Sequence, residues 1–390
     1  MKGRKLLMIP GPIEFEPDVL QAMSMATTSH VAPDFIEAFG NSLELMREVW
    51  KSPAGQPFIV AGTGTLAMDM AIVNLIEPAD NVLVISSGYF GERFEDILSR
   101  YGANTTVLEA GVGETVSLEA IEEALKTKPY KALTMTHVDT STGVLLDPKP
   151  IAKLAKKYNV LSILDGVCSV AGEELQQDKW EIDVVLTASQ KAVGVPPGLA
   201  LLMVSEKAMQ VWENRKTPVC NYYADFSNWL PIMKAYEARK PSYFGTPAVN
   251  LVIALETSLK IICNEGIDNR IKRHQQLASA FRAAIEALHL DILPKSNKIA
   301  ANTLTAVFYP KGIDGAALRS KIAQSNVIIA GGLLSDIKNT YFRIGHMGSV
   351  SANDLLAVLG ALERALIELE HPVTYGKSLE VFQQELLKNS

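Results

Sequence analysis

In the segment Leu161-Ser162-Ile163-Leu164-Asp165-Gly166, an apolar run ends in a carboxylate. The next apolar run leads into Thr187-Ala188-Ser189-Gln190-Lys191, so that a lysine follows 26 positions after Asp165. A buried charge is costly unless it meets an opposite charge or a hydrogen-bond partner. Taken singly, Asp165 reads as a helix N-cap and Lys191 as its ion-pair partner. Taken together, two opposite charges at strand ends that are flanked by small residues indicate that a group binds between them.

Short apolar segments alternate with amphipathic segments from about residue 57 to residue 205. We predict strands at 57–61, 82–86, 105–108, 132–136, 161–165, 184–187 and 200–204. Helices are predicted between them at 66–75, 91–101, 117–126 and 150–158, with Ser117 as an N-cap. Continuous apolar strands joined by helices favour a mostly parallel sheet covered on both faces, the α/β class. Such sheets bind their ligands at the carboxyl ends of the strands.

The pattern changes after about residue 255. Long amphipathic helices are predicted at 255–264, 268–288, 352–368 and 379–388, with short strands at 303–309, 322–330 and 341–344. This is the pattern of a second, α+β body. We therefore expect an N-terminal arm at 1–13, a large domain at 14–260 and a small C-terminal domain at 261–390, as the length of 390 residues also favours.

Composition excludes several classes of partner. A net charge of −6 argues against a nucleic-acid or anionic-membrane surface, and no apolar run reaches the ~20 residues of a membrane span. The three cysteines are an odd number without metal-ligand spacing, which predicts reduced thiols and no metal site. With no signal peptide visible at Lys2, Arg4 and Lys5 and no peroxisomal address at the end of the chain, we expect a cytoplasmic protein.

A phosphate site is predicted at the first strand-to-helix turn, Ala61-Gly62-Thr63-Gly64-Thr65. Backbone N–H groups at the start of a helix point towards an anion there, and the threonine hydroxyls add donors. The turn lacks the third glycine of a dinucleotide fingerprint and the Gly-Lys-Ser/Thr of a P-loop. Nicotinamide cofactors and nucleoside triphosphates are therefore disfavoured.

Two further strand ends carry candidate residues. Phe90 follows the second strand and lies between glycines. It either packs in the core or stacks on a planar ring, and such stacking contributes ~1 kcal/mol beyond area burial. The segment Thr136-His137-Val138-Asp139-Thr140-Ser141-Thr142-Gly143 follows another strand, and its hydroxyls could contact a cofactor. His137 and Asp139 are either a catalytic pair or, the simpler reading, a turn histidine beside an aspartate.

These motifs resemble the class V, fold-type I aminotransferases, and within them the alanine–glyoxylate/serine–pyruvate group, especially its fungal members. The resemblance spans nearly the whole chain and is most specific at 137–143, 165–169, 186–192 and 341–348. It implies a fold-type I α/β enzyme that uses pyridoxal 5′-phosphate, acts on small amino acids and 2-oxo acids, and forms a homodimer with shared active sites.

The resemblance also implies roles for single residues. Lys191 matches the lysine that binds the cofactor as an imine and moves the substrate's α-proton, and Asp165 matches the partner of the pyridine nitrogen. The remaining matches are the phosphate ligands Gln190, Thr63, Gly64 and Thr65, the stacking ring of Phe90, the hydroxyl of Thr140, the partner-subunit phosphate contacts Tyr243 and Thr246, and the substrate-carboxylate arginine Arg343. For Arg343 a surface ion pair is the alternative.

The expected reaction is transamination from alanine to glyoxylate, giving pyruvate and glycine. We find no second arginine placed to meet a distal carboxylate, which favours small monocarboxylates. Serine–glyoxylate, serine–pyruvate and ureidoglycine–glyoxylate exchange remain alternatives, because a methyl-to-hydroxyl difference is decided by details of the pocket. A cofactor-binding protein without turnover is the alternative of another class.

Overall fold

The computed structural model describes residues 5–388, so residues 1–4 of the predicted arm and residues 389–390 lie outside it. The strands, in chain order, are β1 Leu6–Leu7, β2 Gln56–Ala61, β3 Asn81–Ser86, β4 Asn104–Glu109, β5 Ala132–Thr136, β6 Val138–Asp139, β7 Val144–Leu145, β8 Leu161–Asp165, β9 Val184–Ala188, β10 Leu199–Val204, β11 Leu304–Phe308, β12 Val327–Ile328, β13 Ala330–Gly331 and β14 Tyr341–Gly345. The helices are α1 Pro17–Met23, α2 Pro33–Trp50, α3 Gly64–Leu75, α4 Tyr89–Arg100, α5 Leu118–Thr127, α6 Pro148–Lys157, α7 Gln177–Trp180, α8 Glu206–Glu213, α9 Phe226–Glu237, α10 Val249–Glu265, α11 Ile267–Glu286, α12 Gly315–Gln324, α13 Ala352–Glu368 and α14 Lys377–Lys388. Within 5–388, no helix is long and apolar enough to cross a membrane.

A seven-stranded sheet lies at the centre of the described chain, in the order β2-β10-β9-β8-β5-β3-β4. Neighbouring strands pair in parallel except for β10, which runs antiparallel to both β2 and β9. Since β2 and β9 each oppose β10, β2 runs in the common direction. The carboxyl ends of β2, β3, β5, β8 and β9 therefore meet at one edge, and the predicted mostly parallel α/β fold is confirmed.

The burial of the strands and the start of helix α5 agree with what the sequence predicts. Every residue of β5, β8, β9 and β10 is buried, which explains why their sequences are continuously apolar rather than alternating. Ser117 caps α5 as predicted, because its hydroxyl accepts the Ala120 N–H at 3.2 Å.

A second, antiparallel sheet, β11-β14-β13, packs with helices α11, α13 and α14 around a separate core that includes Phe281, Phe342 and Phe382. The strand predicted at 322–330 is wrong for its first residues and is confirmed only at Val327–Ile328 and Ala330. Helix α12 continues to Gln324, because Leu318 and Ile322 are both buried four positions apart, the spacing of a helix face. In this segment only the two-residue strands β12 and β13 are extended.

The N-terminal segment joins the second sheet to the first. Strand β1 pairs in parallel with β12, and Met8 lies in the second core. The Met8 carbonyl accepts the Gly345 N–H at 2.8 Å, and further along the Ile13 N–H donates to the Gln190 carbonyl at 3.3 Å. The boundary predicted between residues 260 and 261 falls inside α10, and the domain limits remain a prediction.

Candidate active site

A cavity of about 230 Å³ opens at the shared edge of the strand ends. Its wall brings together eight of the residues predicted from the sequence: Thr63, Gly64, Thr65, Phe90, Thr140, Asp165, Gln190 and Lys191. It also includes residues to which the sequence assigned no role, namely Gly11, Met68, Arg93, Val138, Val167 and Cys168. Of the predicted set, Arg343, Tyr243 and Thr246 are not part of this wall.

Lys191 is buried, with 7% of its surface exposed, and its Nζ donates to the Pro10 carbonyl. Gly11 makes this approach possible, since a Cβ at that position would lie 2.5 Å from Lys191 Cδ. In the described part of the chain, Lys191 forms no direct ion pair with Asp165. Burial lowers the pKa of the Lys191 ammonium, which favours the neutral amine required of a nucleophile or a base.

Asp165 ends strand β8 and is buried. Its Oδ1 accepts the Val167 N–H at 2.8 Å, while its Oδ2 accepts no hydrogen bond from residues 5–388. The residues after Asp165 form turns and not a helix, so the N-cap interpretation is wrong. Burial raises the pKa of Asp165 to about 7, the Val167 N–H opposes this shift, and the nearby carboxylate of Asp139 adds to it. A cationic ring nitrogen beside Oδ2 would favour the charged carboxylate.

The glycine turn forms the amino end of α3. Thr63 is its N-cap residue but makes no side-chain capping bond, so the first N–H groups of the helix remain available to an anion. Gln190 Oε1 is buried without a partner in the part of the chain that the structure describes. A rotation of the Gln190 amide by about 180° presents its NH₂ group to the same space. An orphaned amide and a free helix terminus fit a phosphate.

Arg93 is the cation that the sequence analysis overlooked. It donates to Thr65 Oγ1 at 3.0 Å, and its guanidinium carbon lies 4.9 Å from the centroid of the Phe90 ring. The signal was present, because Arg93 follows Phe90 by three positions on α4 and such residues share a helix face.

Arg343 on β14 lies behind Thr140, on the side of the second sheet. Its Nη1 donates to the Thr140 carbonyl and its Nε to the Gly331 carbonyl, both at 2.9 Å. Within residues 5–388 no carboxylate pairs with it, and burial lowers the pKa of its guanidinium. The surface ion pair considered as the alternative is therefore absent there. Two backbone carbonyls hold the guanidinium in place, and among residues 5–388 three of its five N–H groups, on Nη1 and Nη2, are left for another acceptor.

Tyr243 and Thr246 lie away from the cavity of their own chain. Tyr243 is 64% exposed, and its ring packs against His30 at a centroid distance of 5.3 Å. Thr246 is also exposed. Their predicted contact with the phosphate of a partner subunit stays a prediction.

A larger groove of about 470 Å³ contains none of the predicted site residues and is lined in part by His137, Glu173 and Trp180. Burial lowers the pKa of His137 to about 4, so its ring is neutral. Asp139 accepts its hydrogen bonds from Ser141 and from the backbone of α4, so the alternative of a His137–Asp139 catalytic pair is not supported. We place the site in the smaller cavity, where the buried lysine and carboxylate converge.

The residues of the smaller cavity fit pyridoxal 5′-phosphate. A buried amine, a carboxylate with a free oxygen, an aromatic ring and a phosphate-binding turn match the aldehyde, the ring nitrogen, the ring face and the phosphate of that molecule. Across residues 5–388, no group of three or more His, Cys, Asp or Glu side chains is arranged to hold a metal ion.

Comparisons with known proteins point to the same cofactor chemistry. The family model for class-V aminotransferases matches residues 19–347. Alanine–glyoxylate aminotransferase 1 of Saccharomyces cerevisiae is 39% identical over 90% of this chain and 94% of its own length. Serine–glyoxylate aminotransferase of Arabidopsis thaliana is 30% identical over 97% and 94%, respectively. The crystal structure of ureidoglycine–glyoxylate aminotransferase from Bacillus subtilis superposes with a TM-score of 0.92 at 29% identity, covering 99% of this chain and 98% of that one.

Proposed function

Because the chain belongs to the class V aminotransferase family, we propose that it transfers the amino group of alanine to glyoxylate, giving pyruvate and glycine. The family depends on pyridoxal phosphate, and the relatives support glyoxylate-dependent transamination in general. The choice of alanine as the amino donor goes beyond this general reaction and is our proposal. Serine and ureidoglycine are the alternatives, since relatives are named for both.

One observation carries the proposal: a buried lysine and a buried carboxylate line the same cavity, and behind its wall lies Arg343, which pairs with no carboxylate within residues 5–388. When bound there, pyridoxal phosphate supplies an electron sink for the carbanion formed at the donor's Cα. Lys191 Nζ would hold the aldehyde carbon of the cofactor and, once released, carry the proton to and from Cα. Asp165 would keep the proton on the ring nitrogen.

Arg343 would bind the carboxylate that alanine and glyoxylate share. A guanidinium makes two parallel hydrogen bonds to a carboxylate, which orients the substrate as well as binding it. Arg93, which lines the cavity, donates to Thr65 of the phosphate-binding turn and lies beside the Phe90 ring, so we assign its charge to the cofactor phosphate. A second substrate carboxylate would thus lack a free cation, and leaving it unpaired in a closed site would cost several kcal/mol. This favours monocarboxylic substrates.

The proposal includes a cytoplasmic homodimer with shared active sites. Tyr243 and Thr246 are exposed in the single chain, in a loop between α9 and α10 that can project across a two-fold interface. They would reach the phosphate bound by the partner chain.

Initial rates over a panel of amino donors and keto acceptors test the substrate assignment. We expect the highest kcat/KM with alanine and glyoxylate. A higher kcat/KM for oxoglutarate than for glyoxylate would contradict it. A higher value for serine would favour the serine–glyoxylate alternative.

The variant Lys191→Ala tests the mechanism. It should keep the fold but lose turnover by orders of magnitude, because imine formation and proton transfer are both removed. Lys153→Ala, at an exposed lysine on α6, is the matched control and should behave as wild type. A wild-type protein that gains no visible absorbance with added cofactor, or whose absorbance does not shift with alanine, would favour a binding protein without turnover.

A further inference from the structure

Helix α4, which carries Phe90, has no capping side chain of its own because its N-cap residue is a glycine. The first N–H groups of a helix need acceptors from elsewhere. Asp139 supplies them from the β6–β7 hairpin: its Oδ2 accepts the Phe90 N–H at 3.0 Å and the Gly91 N–H at 3.2 Å. Ser141 adds a third hydrogen bond, since its Oγ accepts the Tyr89 N–H at 3.2 Å.

The same hairpin holds the second sheet. The Thr140 carbonyl accepts Arg343 Nη1 at 2.9 Å, and the Ser141 carbonyl accepts the Tyr341 hydroxyl at 2.6 Å. Asp139 Oδ1 closes the turn by accepting the backbone N–H of Ser141 at 2.9 Å and its hydroxyl at 2.5 Å. Three consecutive hairpin residues thus connect the Phe90 helix with the strand that carries Arg343.

We propose that Asp139 is a positioning residue of the active site, which sets the Phe90 ring against the cofactor and keeps it in register with Thr140 and Arg343. This inference rests on the proposed function, because it assigns Asp139 a role in binding that cofactor. The approach is close: a Cβ on Gly88 would lie 2.5 Å from Ser141 Oγ and 2.9 Å from Asp139 Cγ.

The ionised carboxylate is the form that suits this role. Asp139 is fully buried, and burial raises its pKa, while the hydrogen bonds from Ser141, Gly91 and Phe90 oppose that shift. Bonds from N–H groups at a helix start to a carboxylate are charge-assisted and stronger than neutral ones. Asparagine has the same shape but only one acceptor oxygen, so it cannot satisfy both sides of the turn.

A double-mutant cycle between Asp139 and Phe90 separates positioning from simple stability. The quantity measured is the dissociation constant of pyridoxal phosphate for the wild type, Asp139→Asn, Phe90→Leu and the double variant. If Asp139 acts through the ring, Asp139→Asn should weaken binding about fivefold when Phe90 is present, the size of a lost stacking contact. In the Phe90→Leu background the effect should fall below about twofold.

Two further variants keep the test decisive. Asp96→Asn makes the same chemical change at an exposed position of α4 and should leave the constant unchanged. If Asp139→Asn does not fold, Ser141→Ala removes a smaller part of the same cap and should show the same dependence on Phe90. The visible circular dichroism of the bound cofactor, which reports its ring environment, should change in both hairpin variants.

Equal effects of Asp139→Asn in the two backgrounds would overturn the inference, even if the apoprotein melts at a lower temperature. That result would leave the proposed function standing, provided that the wild type binds the cofactor through Lys191. A wild-type protein that binds no cofactor would contradict both the role of Asp139 and the proposed function.

Discussion

Replacing Arg343 by lysine should damage substrate binding far more than cofactor binding. Arg343 is only 9% exposed, and its guanidinium donates to two backbone carbonyls at 2.9 Å. The single ammonium of a lysine cannot keep both of these bonds and also make two parallel bonds to a carboxylate. At least one charge-assisted hydrogen bond to the substrate is lost, worth ~1.5–3 kcal/mol. This corresponds to a fall of roughly 10- to 150-fold in kcat/KM for alanine.

Steady-state kinetics with alanine and glyoxylate measure this fall, and titration with pyridoxal phosphate provides the internal control. The cofactor constant should stay within about twofold, because Arg343 does not line the cofactor cavity. Arg319→Lys is the matched variant: this arginine also lies beside Gly331 but donates to Tyr309 and stacks on its ring. If Arg343→Lys keeps wild-type kcat/KM, or if Arg319→Lys loses as much, Arg343 is not the carboxylate ligand.

Four other changes have defined outcomes. Asp165→Asn should weaken cofactor binding and slow single-turnover proton abstraction, and an unchanged rate with bound cofactor would refute its pairing with the ring nitrogen. Arg93→Gln should lower the affinity for pyridoxal phosphate more than for pyridoxal; equal losses would show that Arg93 does not act through the phosphate. Mixing Lys191→Ala chains with Tyr243→Phe chains should give dimers with one intact site, whereas mixed dimers without activity would exclude shared sites. Burial raises the pKa of Glu173 to about 7 from 4.5, so the folded state holds its proton more tightly and wild-type stability should fall, relative to Glu173→Gln, as pH rises from about 4.5 to about 7. The expected change is on the order of 3 kcal/mol in urea unfolding, and a pH-independent difference would contradict it.

Much of the site could be predicted because it follows from strand ends. Asp165 and Lys191 each come after a continuous apolar run, and parallel strands place their carboxyl ends at one edge. The cavity wall accordingly contains both. The roles of these residues remain predictions, since they come from the family resemblance and not from spacing.

The parts that could not be predicted depend on contacts distant in the chain. Pro10 meets Lys191 across 181 positions, and Arg343 meets Thr140 across 203. No local pattern marks such partners. The end of α12 could not be predicted for a related reason. The apolar residues of 322–330 fit the period of a helix as well as that of a strand, and packing against the second core stabilises the helix.

The α/β class could be inferred from the sequence, as could the run of strands and helices in the first half of the chain and eight of the residues that line the cavity. Apolar periodicity and turn residues determine the structure of segments only a few positions long, so their effect can be predicted without a structure. Three contacts are visible only in the folded chain: Asp139 caps the helix of Phe90, Arg93 donates to Thr65, and backbone carbonyls hold Arg343. Buried polar groups must find partners wherever the fold brings them, and those partners are set by the packing of the whole molecule.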